Sequence, residues 1–250
     1  MIKVTIWNEF RHEVAQDRWG ERCREHYPNG IHTTLKQNLT SDDLLIRTAT
    51  LAAPEQGLPD DLLNDTDVLM WWGHVAHQEV SDALVDKIQN RVLGGMGLIV
   101  LHSGHKSKIF QRMTGCSCAL HWREAGESER VWTIDPAHPI CKGVPPYFVV
   151  ERTEMYGEPF GIPEDAKPIF ISWYQGGDVF RSGVTLQRGL GKIFYFSPGH
   201  ETFPIYHDPN VLKVLSNAIR WAAPAMPIMA DPQSCPNAVE SPEPLPPYVF

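Results

Sequence analysis

The chain has 250 residues, of which 42% are hydrophobic, and a formal net charge of -8. This length and hydrophobic content are enough for one large folded domain with its own core. The negative charge argues against a nucleic-acid-binding protein, because such proteins concentrate basic side chains on one face to replace the counterions of the phosphates.

No apolar run approaches the roughly 18–20 residues that a membrane-spanning helix needs. The first residues enter a strand at once, so we expect no secretory leader. The five cysteines are scattered and odd in number, which favours reduced thiols. We therefore expect a cytoplasmic protein that does not bind membranes.

The first half of the chain alternates β-branched apolar runs with amphipathic stretches, a pattern typical of βαβ units. It predicts strands over residues 3–7, 46–51, 68–72 and 97–102. The clearest helix covers residues 81–93, where Leu84, Ile88 and Val92 recur at four-residue spacing before a Gly-Gly stop. Less regular patterns predict helices over residues 16–26 and 107–113.

The middle of the chain contains short apolar runs separated by Gly and Pro turns, which predict an antiparallel extension of the sheet. These strands cover residues 120–123, 131–134, 148–153, 168–174, 183–187 and 191–196. A last helix begins after Asp208 and Pro209 and ends at Pro224. We therefore predict an α/β domain over residues 1–223, with a mostly parallel sheet and helices on both faces. The proline-rich tail, residues 224–250, is expected to pack on this domain or on a neighbouring subunit of a homo-oligomer.

Polar side chains collect where the apolar runs stop. His12 follows the first strand, His74 the third, His102 and His105 the fourth, and His200 the last. The carboxyl ends of parallel strands share one edge of a sheet, and that edge binds ligands in open α/β folds. We expect these imidazoles to meet in one crevice.

Neutral imidazoles that converge with carboxylates suit a divalent metal, and zinc is the metal that such nitrogen and oxygen ligands favour. The predicted ligands are His74, His105 and His200. The His-x-x-His spacing in a loop is not diagnostic of a metal site, and the alternative is that these rings hydrogen-bond a ligand or the backbone. We expect no nucleotide cofactor.

Residues 98–105 have the pattern of a strand that enters a sharp turn and then a helix. Ser103 is predicted to project above the sheet at this turn, near N–H groups that can bind an oxyanion. His200 and the adjacent Glu201 are the matching general base and its orienting carboxylate. The alternative is that Ser103 caps the helix or binds a ligand hydroxyl.

Glu9 and Glu154 are further candidates for acid–base chemistry. Rings and polar groups near the same strand ends suit the faces and hydroxyls of a carbohydrate. The predicted catalytic residues are Glu9, Ser103, Glu154, His200 and Glu201. The predicted substrate-binding residues are Asn8, His12, Trp72, His102 and Tyr156.

Five stretches resemble the signature segments of the ThuA-like, trehalose-utilisation family. They are residues 7–13 (WNEFRHE), 71–74 (WWGH), 101–107 (LHSGHKS), 154–159 (EMYGEP) and 196–201 (FSPGHE). The resemblance implies a flavodoxin-like fold similar to class I glutamine amidotransferases. It also implies a role in the use of trehalose, sucrose or related disaccharides. The amidotransferase turn carries a cysteine, whereas this chain has Ser103, so thiolate chemistry is not expected.

The leading hypothesis is a cytosolic enzyme that acts on a small-molecule sugar or keto-sugar by hydrolysis, elimination or isomerisation, with or without a metal. A carbonyl makes neighbouring C–H bonds acidic, so a base and an electrophile suffice. One alternative is a non-catalytic sugar-binding or regulatory protein on the same scaffold. Another is a serine hydrolase with Ser103 as nucleophile and His200 as base.

Overall fold

The computed structural model describes residues 1–231 and residue 240. In this part of the chain one sheet contains β1 (Ile2–Asn8), β2 (Leu44–Thr50), β3 (Val68–Trp72), β4 (Gly97–Leu101), β5 (His121–Thr133), β6 (Tyr147–Gly157), β7 (Lys167–Tyr174), β8 (Val179–Arg188) and β9 (Gly191–Phe196). The α-helices are α1 (Arg18–His26), α2 (Ile31–Leu39), α3 (Asp60–Asn64), α4 (Asp82–Leu93), α5 (Lys108–Thr114) and α6 (Pro209–Ala222).

The sheet has the strand order β2-β1-β3-β4-β9-β8-β7-β5-β6. The first five strands of this order are parallel, and the remaining four run antiparallel to their neighbours. The chain leaves β1 toward β2 on one side and later returns to β3 on the other. This reversal opens a crevice at the carboxyl ends of β1 and β3, the usual place for a ligand in such sheets.

Helices cover both faces of the sheet, because successive side chains of a buried parallel strand point to opposite faces. In β3, Met70 and Trp72 belong to the core under α1, α2 and α6. Leu69 and Trp71 belong to the core under α4 and α5. The predicted α/β fold class, with its antiparallel extension, is therefore confirmed.

The predicted cap of the last helix is confirmed, since Asp208 accepts two hydrogen bonds at the start of α6. Ser81 accepts one from the backbone of Leu84 at the start of α4. Helix α5 is capped by Ser107, which accepts from the Phe110 N–H, so the alternative that Ser103 caps this helix is wrong. Each hydroxyl or carboxylate satisfies an N–H that has no partner within the helix.

Two regions differ from the predicted elements. Residues 120–123 and 131–134, predicted as separate strands, are joined in the single long strand β5, whose pairing with β6 shifts register after Arg123 and again after Glu127. Helix α2 is not predicted, although Ile31, Leu35 and Leu39 lie on its buried side. Threonines at positions 33 and 34 have low helix propensity and obscure this pattern.

The first part of the tail contacts the domain: the Met229 N–H donates to the Gly94 carbonyl at 2.9 Å. Residues 232–239 and 241–250, which carry most of the predicted docking segment, lie outside the described residues. The four described cysteines are free thiols. Within the described chain, no helix combines the length and apolar character needed to cross a bilayer.

Candidate active site

The polar residues that follow the parallel strands surround one cavity of about 670 Å³. Side chains from the ends of β1, β3, β4 and β9 form one wall, and residues of β5 and β6 form the other. The predicted site residues that line it are His12, His74, Ser103, His105, Glu154, Tyr156, His200 and Glu201. The structure therefore brings most of the predicted site together.

The turn after β4 places His102, rather than Ser103, at its strained position. His102 has a φ of 46°, in the left-handed region that non-glycine residues rarely adopt. Its imidazole is completely buried and stacks on the ring of Tyr156 with centroids 4.7 Å apart. The sharp turn after β4, called the elbow below, thus carries a histidine. Its imidazole replaces both the thiol of an amidotransferase and the predicted serine hydroxyl.

His102 also contacts a buried carboxylate. Its Nδ1 lies 2.8 Å from the Ser197 carbonyl oxygen, which can only accept, so Nδ1 carries a proton. Its Nε2 lies 3.1 Å from Glu154 Oε2. The two atoms are close enough to exchange a proton, although Glu154 Oε2 forms no aligned hydrogen bond among the described residues. Of the two groups, Glu154 lines the cavity and His102 lies behind it.

A second contact extends this pair to Ser103. The Tyr156 hydroxyl lies 3.2 Å from His102 Nε2 and 2.9 Å from Ser103 Oγ. Ser103 is thereby coupled to His102 through Tyr156. Among the hydrogen bonds of the described residues, none joins Ser103 to His200, the predicted base.

The Glu154 carboxylate is 6% exposed. Burial favours its neutral form, but the imidazoles of His102, His200 and His74 prevail and hold its pKa below the usual value. An ionised carboxylate next to an imidazole that carries protons is an arrangement suited to general acid–base catalysis.

His200 points a proton into the cavity. Its Nδ1 accepts from the Thr202 backbone N–H at 3.2 Å, so the proton of the neutral ring lies on Nε2. Burial lowers the pKa of His200 to about 4, and the ring is therefore neutral at physiological pH. Its Nε2 lies 3.8 Å from Glu201 Oε1 and 4.0 Å from Glu154 Oε2. A ligand oxygen between these groups would receive a hydrogen bond from His200.

Glu201 is grouped with two other imidazoles. His12 Nε2 lies 3.2 Å, and His74 Nδ1 lies 3.3 Å, from Glu201 Oε1. Burial disfavours the charged form of His74, but the Glu201 carboxylate outweighs this effect and raises the pKa of His74 to about 9. The predicted metal-ligand set is therefore not one group, since His74 belongs with His12 and Glu201 while His200 belongs with His102 and Glu154.

His105, the third predicted metal ligand, belongs to neither group. Its Nδ1 lies 2.6 Å from the Cys118 carbonyl oxygen, and burial lowers the pKa of His105 to about 3. The ring lines the cavity as a neutral side chain with one nitrogen already used.

Four predicted residues do not line the cavity: His102, described above, and three others that support it from behind. Both oxygens of Glu9 accept backbone N–H groups, from Val75 and Ala76, so this carboxylate holds the loop that carries His74. The Asn8 amide donates to Glu13 Oε1 at 2.7 Å, and the completely buried Trp72 donates to the Gly199 carbonyl. Their hydrogen-bonding groups are occupied by the protein itself, which argues against the predicted catalytic and substrate-binding roles.

Six lining residues were not predicted: Trp19, His77, Lys106, Leu120, Trp122 and Glu124. Trp19 lies on α1, His77 in the segment after β3, Lys106 in the turn after β4 and Leu120 directly before β5. Trp122 and Glu124 lie on β5, whose alternation of exposed polar and aromatic residues is also that of an ordinary surface strand. No local pattern distinguishes Glu124 as a site residue.

Comparison with known proteins agrees with this fold. Similar solved structures include a ThuA-like protein from Bacteroides uniformis, at 16% identity, covering 88% of this chain and 91% of that chain with a TM-score of 0.62. A cytoplasmic protein from Salmonella typhimurium also matches, at 16% identity, 89% and 100% coverage and a TM-score of 0.59. A glutamine amidotransferase from Thermotoga maritima matches at 10% identity, 88% and 97% coverage and a TM-score of 0.51. A search among curated proteins gives no match.

The fold and the residues at its ligand-binding edge define an amidotransferase-like α/β protein with a histidine–carboxylate site. The family model described as ThuA, trehalose utilisation, matches residues 3–222. The chain belongs to this family, and the resemblance noted in the sequence is confirmed.

Proposed function

We propose that this protein is a cytosolic enzyme of disaccharide utilisation that acts on a sugar or keto-sugar by proton transfer. The family supports the substrate class. The contact between His102 Nε2 and Glu154 Oε2 at 3.1 Å supports the chemistry. Because Glu154 lines the cavity, a proton that this pair exchanges is available to a bound substrate.

In this proposal Glu154 and His102 form the acid–base pair. With the proton on His102, the Glu154 carboxylate is free to remove a proton from carbon or oxygen of the sugar. The pair can then return a proton to another atom. The anchored His102 Nδ1 keeps the imidazole in the required tautomer.

His200 supplies the complementary donor. A neutral imidazole that presents Nε2–H stabilises negative charge that develops on a carbonyl oxygen, as the enolate of a keto-sugar would. Because the ring is neutral at physiological pH, it donates this hydrogen bond without being ionised first. Base and donor thus lie side by side, with His200 Nε2 4.0 Å from Glu154 Oε2, so both can reach neighbouring atoms of one bound sugar.

Product analysis tests the proposal directly. The purified protein is incubated with trehalose, sucrose and their 3-keto forms, and the products are separated and identified. We expect turnover of at least one of these sugars. Glu154→Gln removes the base and should lower kcat by about 10²- to 10⁴-fold. The exposed Glu164→Gln is the matched control and should retain kcat.

If every sugar is recovered unchanged while one binds tightly, the protein is a binding protein and the catalytic proposal is wrong. Retention of full activity in Glu154→Gln would assign the proton transfer to another group. The serine-hydrolase alternative receives less support, because the Ser103 hydroxyl is bonded to Tyr156.

A further inference from the structure

His12, His74 and Glu201 place three potential metal-ligand atoms close together beside the acid–base pair. The two imidazole nitrogens lie 3.2 Å and 3.3 Å from the same oxygen, Glu201 Oε1. Ligand atoms that bind zinc at about 2.0–2.1 Å in a tetrahedral shell are about 3.4 Å apart. The observed separations match this spacing with little rearrangement.

Atoms of this cluster lack the partners that buried polar groups normally have. The Glu201 side chain is 3% exposed, and among the described residues its Oε2 and the Nδ1 of His74 form no aligned hydrogen bond. Every ion pair found for Glu201 in this part of the chain is with a histidine. Without a metal, the charge of this buried carboxylate is balanced by the protonated His74, and a metal ion that replaced the His74 proton would balance the same charge.

We propose that His12, His74 and Glu201 bind one divalent transition-metal ion, with zinc as the best match to two nitrogen ligands and one oxygen ligand. All three side chains line the cavity. The remaining position of a tetrahedral shell is thus left for water or a substrate oxygen, as in catalytic zinc sites.

Glu9 supports this assignment from behind the ligands. Its Oε1 lies 4.0 Å from His12 Nδ1, the nitrogen that would not bind the metal. The same carboxylate accepts the N–H groups of Val75 and Ala76, which directly follow His74. Glu9 therefore fixes the loop that carries His74 and lies near His12 without hydrogen-bonding its ring.

The neighbouring group of His102, Glu154 and His200 is less suited to a metal. Thr202 donates to His200 Nδ1, which places the proton on the nitrogen that would have to bind the ion. His102 Nε2 is also already within hydrogen-bond distance of the Tyr156 hydroxyl, at 3.2 Å. The two groups therefore have different roles. The group with His74 binds the ion, and the group with Glu154 transfers protons. This division deepens the proposed function, because a metal ion polarises the carbonyl of a keto-sugar.

Metal binding is measured without any substrate. Chelator-treated and dialysed protein is titrated with Zn²⁺ by calorimetry and with Co²⁺ by visible absorption. We expect one equivalent to bind, with the absorption of tetrahedral Co²⁺. His74→Ala and Glu201→Gln should each weaken Zn²⁺ binding by more than about tenfold, because each removes a direct ligand. Removal of a residue that only hydrogen-bonds a ligand already lowers metal affinity by about tenfold or more. His105→Gln, in the same cavity, should stay within about threefold of the wild type.

Far-ultraviolet circular dichroism establishes that each variant is folded. If Glu201→Gln does not fold, His12→Asn tests the same ligand set at a partly exposed position. Zn²⁺ binding that survives both His74→Ala and His12→Asn would overturn the proposal. So would binding that is lost in His105→Gln but retained in His74→Ala.

The outcomes separate this inference from the proposed function. Sugar turnover by protein that binds no Zn²⁺ would refute the metal site and leave the acid–base proposal intact. Stoichiometric Zn²⁺ binding with no turnover of any sugar would support the metal site and refute the acid–base proposal.

Discussion

The buried carboxyl group of Glu129 should make the free energy of unfolding depend on pH, and its surroundings determine the size of this effect. This carboxyl is 1% exposed, and its Oε1 accepts hydrogen bonds from Ser172 Oγ at 2.5 Å and from the Tyr174 hydroxyl at 3.2 Å. Its Oε2 has no hydrogen-bond partner among the described residues. Burial outweighs the two hydroxyls and raises the pKa of Glu129 from 4.5 to about 7.

The raised pKa makes stability depend on pH with a definite sign. Between about pH 4.5 and pH 7 the folded protein keeps a proton that the unfolded chain has released, so the contribution of Glu129 to the free energy of unfolding falls as pH rises. The decrease ends above the folded-state pKa. For a pKa shift of this size the loss between about pH 5 and about pH 8 is about 2–3 kcal/mol.

Glu129→Gln replaces the titrating group with a neutral one of the same shape. Relative to the wild type, the variant should gain about 2–3 kcal/mol of stability when pH is raised from about 5 to about 8. Urea unfolding followed by tryptophan fluorescence measures this difference at both pH values. The exposed Glu164→Gln should show no such gain. An equal stability difference between Glu129→Gln and the wild type at the two pH values would refute the reasoning.

Three further predictions concern core packing, helix capping and the size of the sugar that the site binds. Phe110→Ala removes a completely buried ring and should lower the free energy of unfolding by about 3–5 kcal/mol in urea. Asp208→Ala removes the cap that accepts from Asn210 at 2.7 Å and should cost about 1 kcal/mol, seen as a lower Tm. Trp19 also lines an adjoining cavity of about 990 Å³, so Trp19→Ala should weaken binding of a disaccharide by about threefold to tenfold, with less effect on a monosaccharide. Calorimetry measures both affinities, and the exposed Trp132→Ala should leave them unchanged.

The sequence predicts the parallel core well because that signal is local. Short, mainly apolar runs mark β1, β3, β4 and β9, and four-residue spacing marks α4 and α6. Each of these segments is buried as its pattern requires. The fold class follows from their alternation.

The elbow after β4 shows where local patterns fail. The predicted strand over residues 97–102 continues one residue too far, since β4 ends at Leu101. That single residue moved the predicted elbow from His102 to Ser103. Strand ends depend on where the backbone leaves the sheet, and this is decided by tertiary contacts such as the one between His102 Nδ1 and the Ser197 carbonyl.

The grouping of the histidines could not be predicted for a related reason. The sequence places His74, His105 and His200 after neighbouring strands, but it contains no information on which ring turns toward which carboxylate. The orientation of each imidazole is determined by its contact partners elsewhere in the chain, such as the Cys118 carbonyl for His105 and Glu201 for His74.

Glu154 comes from β6, the last strand at one edge of the sheet, whereas its partner His102 follows β4 near the middle. Their contact requires the antiparallel flank to curl back over the parallel strands. A ligand held by both residues would fasten that flank to the rest of the domain. Amide hydrogens of β5 and β6 should then exchange more slowly with deuterium when the cavity is filled, even where they lie far from the ligand.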